Sequence, residues 1–244
     1  MILKTKLFGH VYEFKSIREV MAKANEEKSG DKLAGIAAET AEERVAAKVV
    51  LSNLTLNDLR NCPAVPYEED EVTRIIQDSV NETIFNEYKN MTVAEFREWL
   101  LDTQTTPDMI RRASRGLTSE IVAGVCKLMS NLDLIYAAKK MRVTAHCNTT
   151  IGLPGTFSSR LQPNHTTDDP NGIIASVMEG LSLGCGDAVI GLNPVDDSVE
   201  SVARILKMFD EFKNKWEIPT QICVLAHVTT QVAAADKLGA PLDL

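Results

Sequence analysis

The chain has 244 residues, 44% hydrophobic and 25% charged, a balance that fits one large folded domain or two ordinary ones and argues against a disordered, collagen-like or disulfide-stapled chain. A formal net charge of −8 leaves no basic footprint for nucleic acid. The five cysteines (Cys62, Cys126, Cys147, Cys185 and Cys223) form no CxxC pair, as expected of free thiols in a reducing compartment. No apolar run approaches the roughly 18 residues that a membrane helix needs, so the expectation is a soluble, cytoplasmic protein.

In chain order, residues 1–142 read as a mostly helical N-terminal extension. Helix starts are marked by capping chemistry, in which a hydroxyl and a carboxylate three residues on satisfy orphan amides: Thr40 with Glu43, Thr92 with Glu95, and Ser130 with Asp133. After Thr40 the spacing of Val45, Val49 and Leu51 predicts a buried face. After Thr92, Phe96, Trp99 and Leu100 do the same. The acidic run Glu68–Glu71 is expected to be a solvated helix start, where carboxylates suit the macrodipole.

Residues 143–244 change rhythm. The β-branched, threonine-rich run 143–151 predicts a strand, followed by a long loop to Asp168. Asp169-Pro170 is a strong helix start, and Gly184 is the expected stop, since glycine favours the left-handed position after a helix. A buried strand is expected over 188–193, a helix from about Ser198 to Lys215, a strand over 221–226 ending at His227, and a last helix near Thr229. Strands alternating with helices imply parallel βαβ units, and their apolar runs imply helices over the sheet.

In such architectures ligands bind outside the carboxyl ends of the strands. That places Arg160, Gln162 and Asn164 after the first predicted strand, Asn193 after the second and His227 after the third. A guanidinium with carboxamides can form a hydrogen-bonding pocket for a small polar molecule; the same groups can equally cap helices and satisfy loop backbone. Asp168-Asp169 and Asp196-Asp197 read as helix caps. The four histidines show no metal-ligand spacing.

The segments NTTIGLPGTFSSRLQPN (148–164), GDAVIGLNPV (186–195) and PTQICVLAHVTTQ (219–231) resemble the large subunit family of ethanolamine ammonia-lyase. So do LFGHVYEFKSIREVMAKANEEKSGD (7–31), ERVAAKVVLS (43–52), TRIIQDSVNET (73–83) and GLTSEIVA (116–123). The resemblance implies a TIM (β/α)8 barrel behind a helical extension. Residues 143–244 would supply the first part of the barrel, about three βα units. It also implies adenosylcobalamin as cofactor, a radical conversion of ethanolamine to acetaldehyde and ammonia, and hetero-oligomers of large subunits with a small subunit. Residence in the cytoplasm or a bacterial microcompartment is implied as well. Arg160, Leu161, Gln162 and Asn193 match the substrate-contacting positions, with Arg160 the catalytic one, and Pro194 matches a position touching cobalamin. No resident metal site beyond the cofactor is implied.

Only three strands are counted before Leu244, and the family's catalytic carboxylates fall outside the sequence. Ethanolamine is cationic at neutral pH. Beside Arg160 at ~4 Å its ammonium would meet about 4 kcal/mol of repulsion at an effective dielectric of 20. The expectation is a piece of the large subunit, inactive and poorly folded by itself. Two other readings stand beside it: a non-catalytic module docking to lyase subunits or a microcompartment shell, and an unrelated α/β enzyme acting on a small polar substrate.

Overall fold

The computed structural model of the protein describes residues 3–141 and 143–243. The chain divides into two compact units, Met1–Arg142 and Val143–Leu244.

The first unit opens with an antiparallel pair that the sequence reading did not anticipate, β1 (Lys4–Leu7) and β2 (His10–Glu13), in register from Lys4↔Glu13 to Leu7↔His10. Phe8 and Gly9 turn between them with φ of 52° and 81°, the two positive values that match a tight turn to strand twist. Ten helices follow among the described residues: α1 (Ile17–Lys23), α2 (Ser29–Leu33), α3 (Ala41–Ser52), α4 (Leu56–Arg60), α5 (Glu71–Asp78), α6 (Glu82–Tyr88), α7 (Val93–Leu101), α8 (Pro107–Ser114), α9 (Ser119–Lys127) and α10 (Asn131–Lys140). Their starts follow local chemistry. Thr92 with Glu95 and Ser130 with Asp133 form complete capping boxes, as does Thr55 with Asp58. Thr40 accepts from the Glu43 amide, but the Glu43 carboxylate reaches the Glu39 amide instead of closing the box on Thr40. The buried face of α3 is also displaced from the predicted one. Ala46, Ala47, Val50 and Leu51 are buried and Val45 is exposed, because the core accepts two small alanines between packed helices.

The second unit holds a short antiparallel pair, β3 (Ala145–His146) with β4 (Thr150–Ile151), and a three-stranded parallel sheet in the order β5 (Arg160–Leu161), β6 (Val189–Leu192), β7 (Gln221–Val224). Helices α11 (Pro170–Ser182) and α12 (Val199–Lys215) connect the parallel strands, and α13 (Val228–Leu238) follows the last. The strand predicted over 143–151 is therefore corrected. That run folds back on itself, and the first parallel strand is the Arg160-Leu161 pair inside the predicted loop. It is created by pairing of Arg160 with Val189 and Leu161 with Ile190.

The sheet is two-faced rather than uniformly apolar, because side chains alternate along each strand. Leu161, Ile190, Leu192, Ile222 and Val224 pack with Ile173, Val177, Val202, Ile205, Leu206 and Phe209 of α11 and α12. Arg160, Val189, Gly191, Gln221 and Cys223 occupy the opposite face by the pairing register. The amino-terminal end of that face is covered by the β3–β4 segment. Thr149 donates from its amide to Gln221 Oε1 at 2.8 Å, and Asn148 Nδ2 donates to the Thr220 carbonyl at 2.9 Å. Gln221 is fully buried but satisfied: its Nε2 donates to Thr149 Oγ1 at 2.9 Å and also to the Ala188 carbonyl. Buried amides need such partners.

Candidate active site

Because the three strands run parallel, their carboxyl ends lie along one edge, and the segments after Leu161, Leu192 and Val224 meet there. Arg160 lies on β5 itself. Its side chain reaches across β6 toward β7, with Nη2 3.8 Å from Cys223 Sγ. Glycine at 191 makes that crossing possible: a Cβ there would come within 2.7 Å of both Arg160 Nη2 and Cys223 Sγ. Glycine inside a strand marks such close approaches. The guanidinium is exposed, and among the described residues no carboxylate forms an ion pair with it. Burial pushes the Cys223 thiol above the usual range, with the Arg160 charge opposing that rise.

Leu161 is next to Arg160 in sequence but faces away from it. A Cβ at Gly180 of α11 would lie 2.5 Å from Leu161 Cδ1, so its side chain belongs to the helix-covered face. Any contact on the Arg160 side would come from its main chain. Gln162 and Asn193 are exposed, and among the described residues neither side-chain amide has a hydrogen-bond partner. Both remain available to a ligand. Asn193 nevertheless has a fixed backbone, for its amide donates to Asn164 Oδ1 at 2.9 Å. Pro194 is half-buried in the same turn.

His227 and Asp168 have roles other than those expected of them, whereas Asp169 keeps its own. His227 is the N-cap of α13, its Nδ1 accepting from the Thr229 amide at 3.3 Å and paired with Thr229 Oγ1 at 2.8 Å. Asp169 caps α11 by accepting from the Gly172 amide. Asp168 does not cap that helix: its Oδ2 accepts from the amides of Val195 and Asp196 at 2.8 and 3.0 Å. The sequence reading missed Gly191, Cys223 and this role of Asp168. Only the glycine, sitting inside an apolar strand, carried a local signal. Among the described residues no group of three or more His, Cys, Asp and Glu is placed to hold a metal ion.

An exposed cation and two unpartnered carboxamides lie at the carboxyl edge of a parallel α/β sheet, the edge where such folds commonly place ligands. Residues 12–244 match the family described as ethanolamine ammonia lyase large subunit, and the chain belongs to that family. It is 58% identical over 241 residues to the ethanolamine ammonia-lyase large subunits of Escherichia coli strain K12, Escherichia coli O157:H7 and Salmonella typhimurium strain LT2. The alignments cover 99% of this chain and 53% of each relative, so the chain spans about half the length of the curated relatives it matches. No helix among the described residues is long and apolar enough to cross a membrane.

Proposed function

We propose that residues 143–244 form part of a (β/α)8 barrel and supply one side of an active site that converts ethanolamine to acetaldehyde and ammonia. The observation that carries this reading is the Arg160 guanidinium laid over Gly191 on the helix-free face of the sheet, beside the free amides of Gln162 and Asn193. In a barrel that face would be the interior.

The strand ends offer a donor set that suits a corrinoid. Val195, Leu225 and Val228 are exposed apolar side chains at the carboxyl edge, next to the carboxamides of Gln162 and Asn193. Such a surface can take an apolar ring face and hydrogen-bond the amides around its rim. Pro194, rigid and between two of these residues, would rest against the ring. Adenosylcobalamin, held there, would supply the radical chemistry. The chain's own residues do the positioning. Arg160 donates hydrogen bonds to the substrate hydroxyl oxygen. Gln162 and Asn193 orient the amino alcohol.

The side chains proposed to contact the substrate are a cation and two neutral amides, while the Asp168 carboxylate already accepts from the Val195 and Asp196 amides and that of Asp196 from Ser198; a bound ammonium needs carboxylate partners. Turnover is therefore proposed to require acidic groups from outside these loops, together with the small subunit. Acetaldehyde release and adenosylcobalamin binding, measured on the chain alone and mixed with small subunit, test the reading. Cobalamin binding that weakens in N193A, with little acetaldehyde from the chain alone, supports it. Failure to bind either adenosylcobalamin or ethanolamine in both settings refutes it.

A second reading rests on the helical unit. It carries an apolar groove of about 530 Å³ bordered by Trp99, Leu100, Ile110, Leu117, Met129 and Met141, which favours docking of another subunit. Assembly with further large subunits, in the cytoplasm or a microcompartment, is part of the same proposal.

A further inference from the structure

The turn after β6 has no free backbone donor over residues 193–196. The Asn193 amide donates to Asn164 Oδ1, Pro194 has no N–H, and the Val195 and Asp196 amides both donate to Asp168 Oδ2. All of these bonds are received by side chains of the loop between β5 and α11. Local turn chemistry does not require this arrangement, since Asn193, Val195 and Asp196 are exposed and their amides could reach water.

Asp168 is held under strain. It is only 4% exposed, its φ is 51°, and Oδ1 is buried without a partner among the described residues. A left-handed backbone is uncommon for an L side chain. A buried carboxylate oxygen left unpaired is costly. Strain of this kind persists where surrounding structure over-determines it, and it clusters at ligand sites.

We propose that Asp168 is a positioning residue. Through two charge-assisted hydrogen bonds it locks the Asn193-Pro194 turn to the β5 loop, so that the Asn193 carboxamide and the Pro194 ring present one fixed geometry to the ligand. The consequence for binding rests on the strand-end site proposed above; the lock itself does not.

Residue-resolved amide hydrogen exchange on the full chain tests the lock in wild type, D168A, D168N and N164A. In D168A the Val195 and Asp196 amides should exchange at least about tenfold faster, while the Ile190 and Leu206 amides keep their wild-type rates. D168N, whose carboxamide oxygen can still accept both bonds, should restore most of the protection. Saturation-transfer binding of ethanolamine and absorbance titration with hydroxocobalamin read the consequence: about tenfold weaker binding in D168A, recovered in D168N. If D168A does not fold, N164A replaces it, with faster exchange expected at Asn193 alone. Unchanged exchange at 195 and 196, or acceleration spread evenly through the unit, overturns the lock. Local loosening with unaltered affinity overturns the positioning role. If wild type binds neither probe, the functional reading fails and the exchange pattern still decides the lock.

Discussion

Adding a single methyl group to Gly191 places the predicted site under direct test. The new Cβ would stand 2.7 Å from Arg160 Nη2 and 2.7 Å from Cys223 Sγ, closer than carbon packs against either. Cys223 has one rotatable bond and sits in a half-buried position on β7, whereas Arg160 is long and exposed. The arginine should yield. Overpacking costs about 1–3 kcal/mol, and the flexible partner puts G191A near the lower end. At about 1 kcal/mol the melting temperature should fall by about 2–4 °C. Moving the guanidinium off its perch should remove a charged hydrogen bond to the substrate hydroxyl, about 1.5–3 kcal/mol, and so weaken ethanolamine binding at least tenfold in the assembly whose acidic groups offset the ammonium charge. Thermal unfolding by circular dichroism and a binding titration read the two effects separately. The double variant G191A/C223A, which clears space beside the new methyl, should recover part of both losses, and the recovery is the coupling between the two positions. A G191A chain that matches wild type in melting temperature and affinity would refute the placement of Arg160 over the glycine.

Three further outcomes are expected. The Cys223 thiol, pushed upward by burial, should show an alkylation midpoint at higher pH than free cysteine does; mass-resolved iodoacetamide labelling across pH checks this, and a lower midpoint would contradict it. Thr92→Ala removes the hydroxyl half of the α7 capping box and should destabilise the helical unit by about 1 kcal/mol in denaturant unfolding; no change would show that the cap is redundant. The Asp187 carboxyl is held below its usual range by hydrogen bonds from the amide and hydroxyl of Ser159, at 2.7 and 2.8 Å, just before β5. A depressed pKa contributes stability above the unfolded value of about 3.9 and loses it as pH falls through the folded value. The protection of the Arg160 and Leu161 amides, taken relative to the intrinsic exchange rate at each pH, should therefore fall below about pH 4 in wild type, and Asp187→Asn should flatten that dependence.

Much of the helical architecture was legible in the sequence because helix starts are local events. Asp169-Pro170, Thr92 and Ser130 each announce a cap within four residues, and each caps the helix expected of it; α12 is the exception, capped by Ser198 rather than by the expected Asp196-Asp197 pair, with Asp196 accepting from the Ser198 amide instead. The face that a helix buries was less legible. On α3 the spacing nominated Val45, yet Ala46 and Ala47 are the residues buried, since a neighbouring helix can approach closely only over small side chains.

The strand-end site divides along the same line. Periodicity was enough to place Asn193 at the end of its strand, whereas Gln162 was expected in a loop after a strand over 143–151 and instead follows the unforeseen β5. The sequence could not show that Arg160 is a strand residue: a two-residue strand has no periodicity, and only hydrogen bonding to Val189 and Ile190 makes it one. Nor could it show that Leu161 turns toward α11 while Arg160 lies over Gly191, or that Asp168 serves a turn 27 residues downstream. Local propensity acts over about one helical turn, whereas these relations are set by which strands pair and which backbone donors the packed chain leaves without partners.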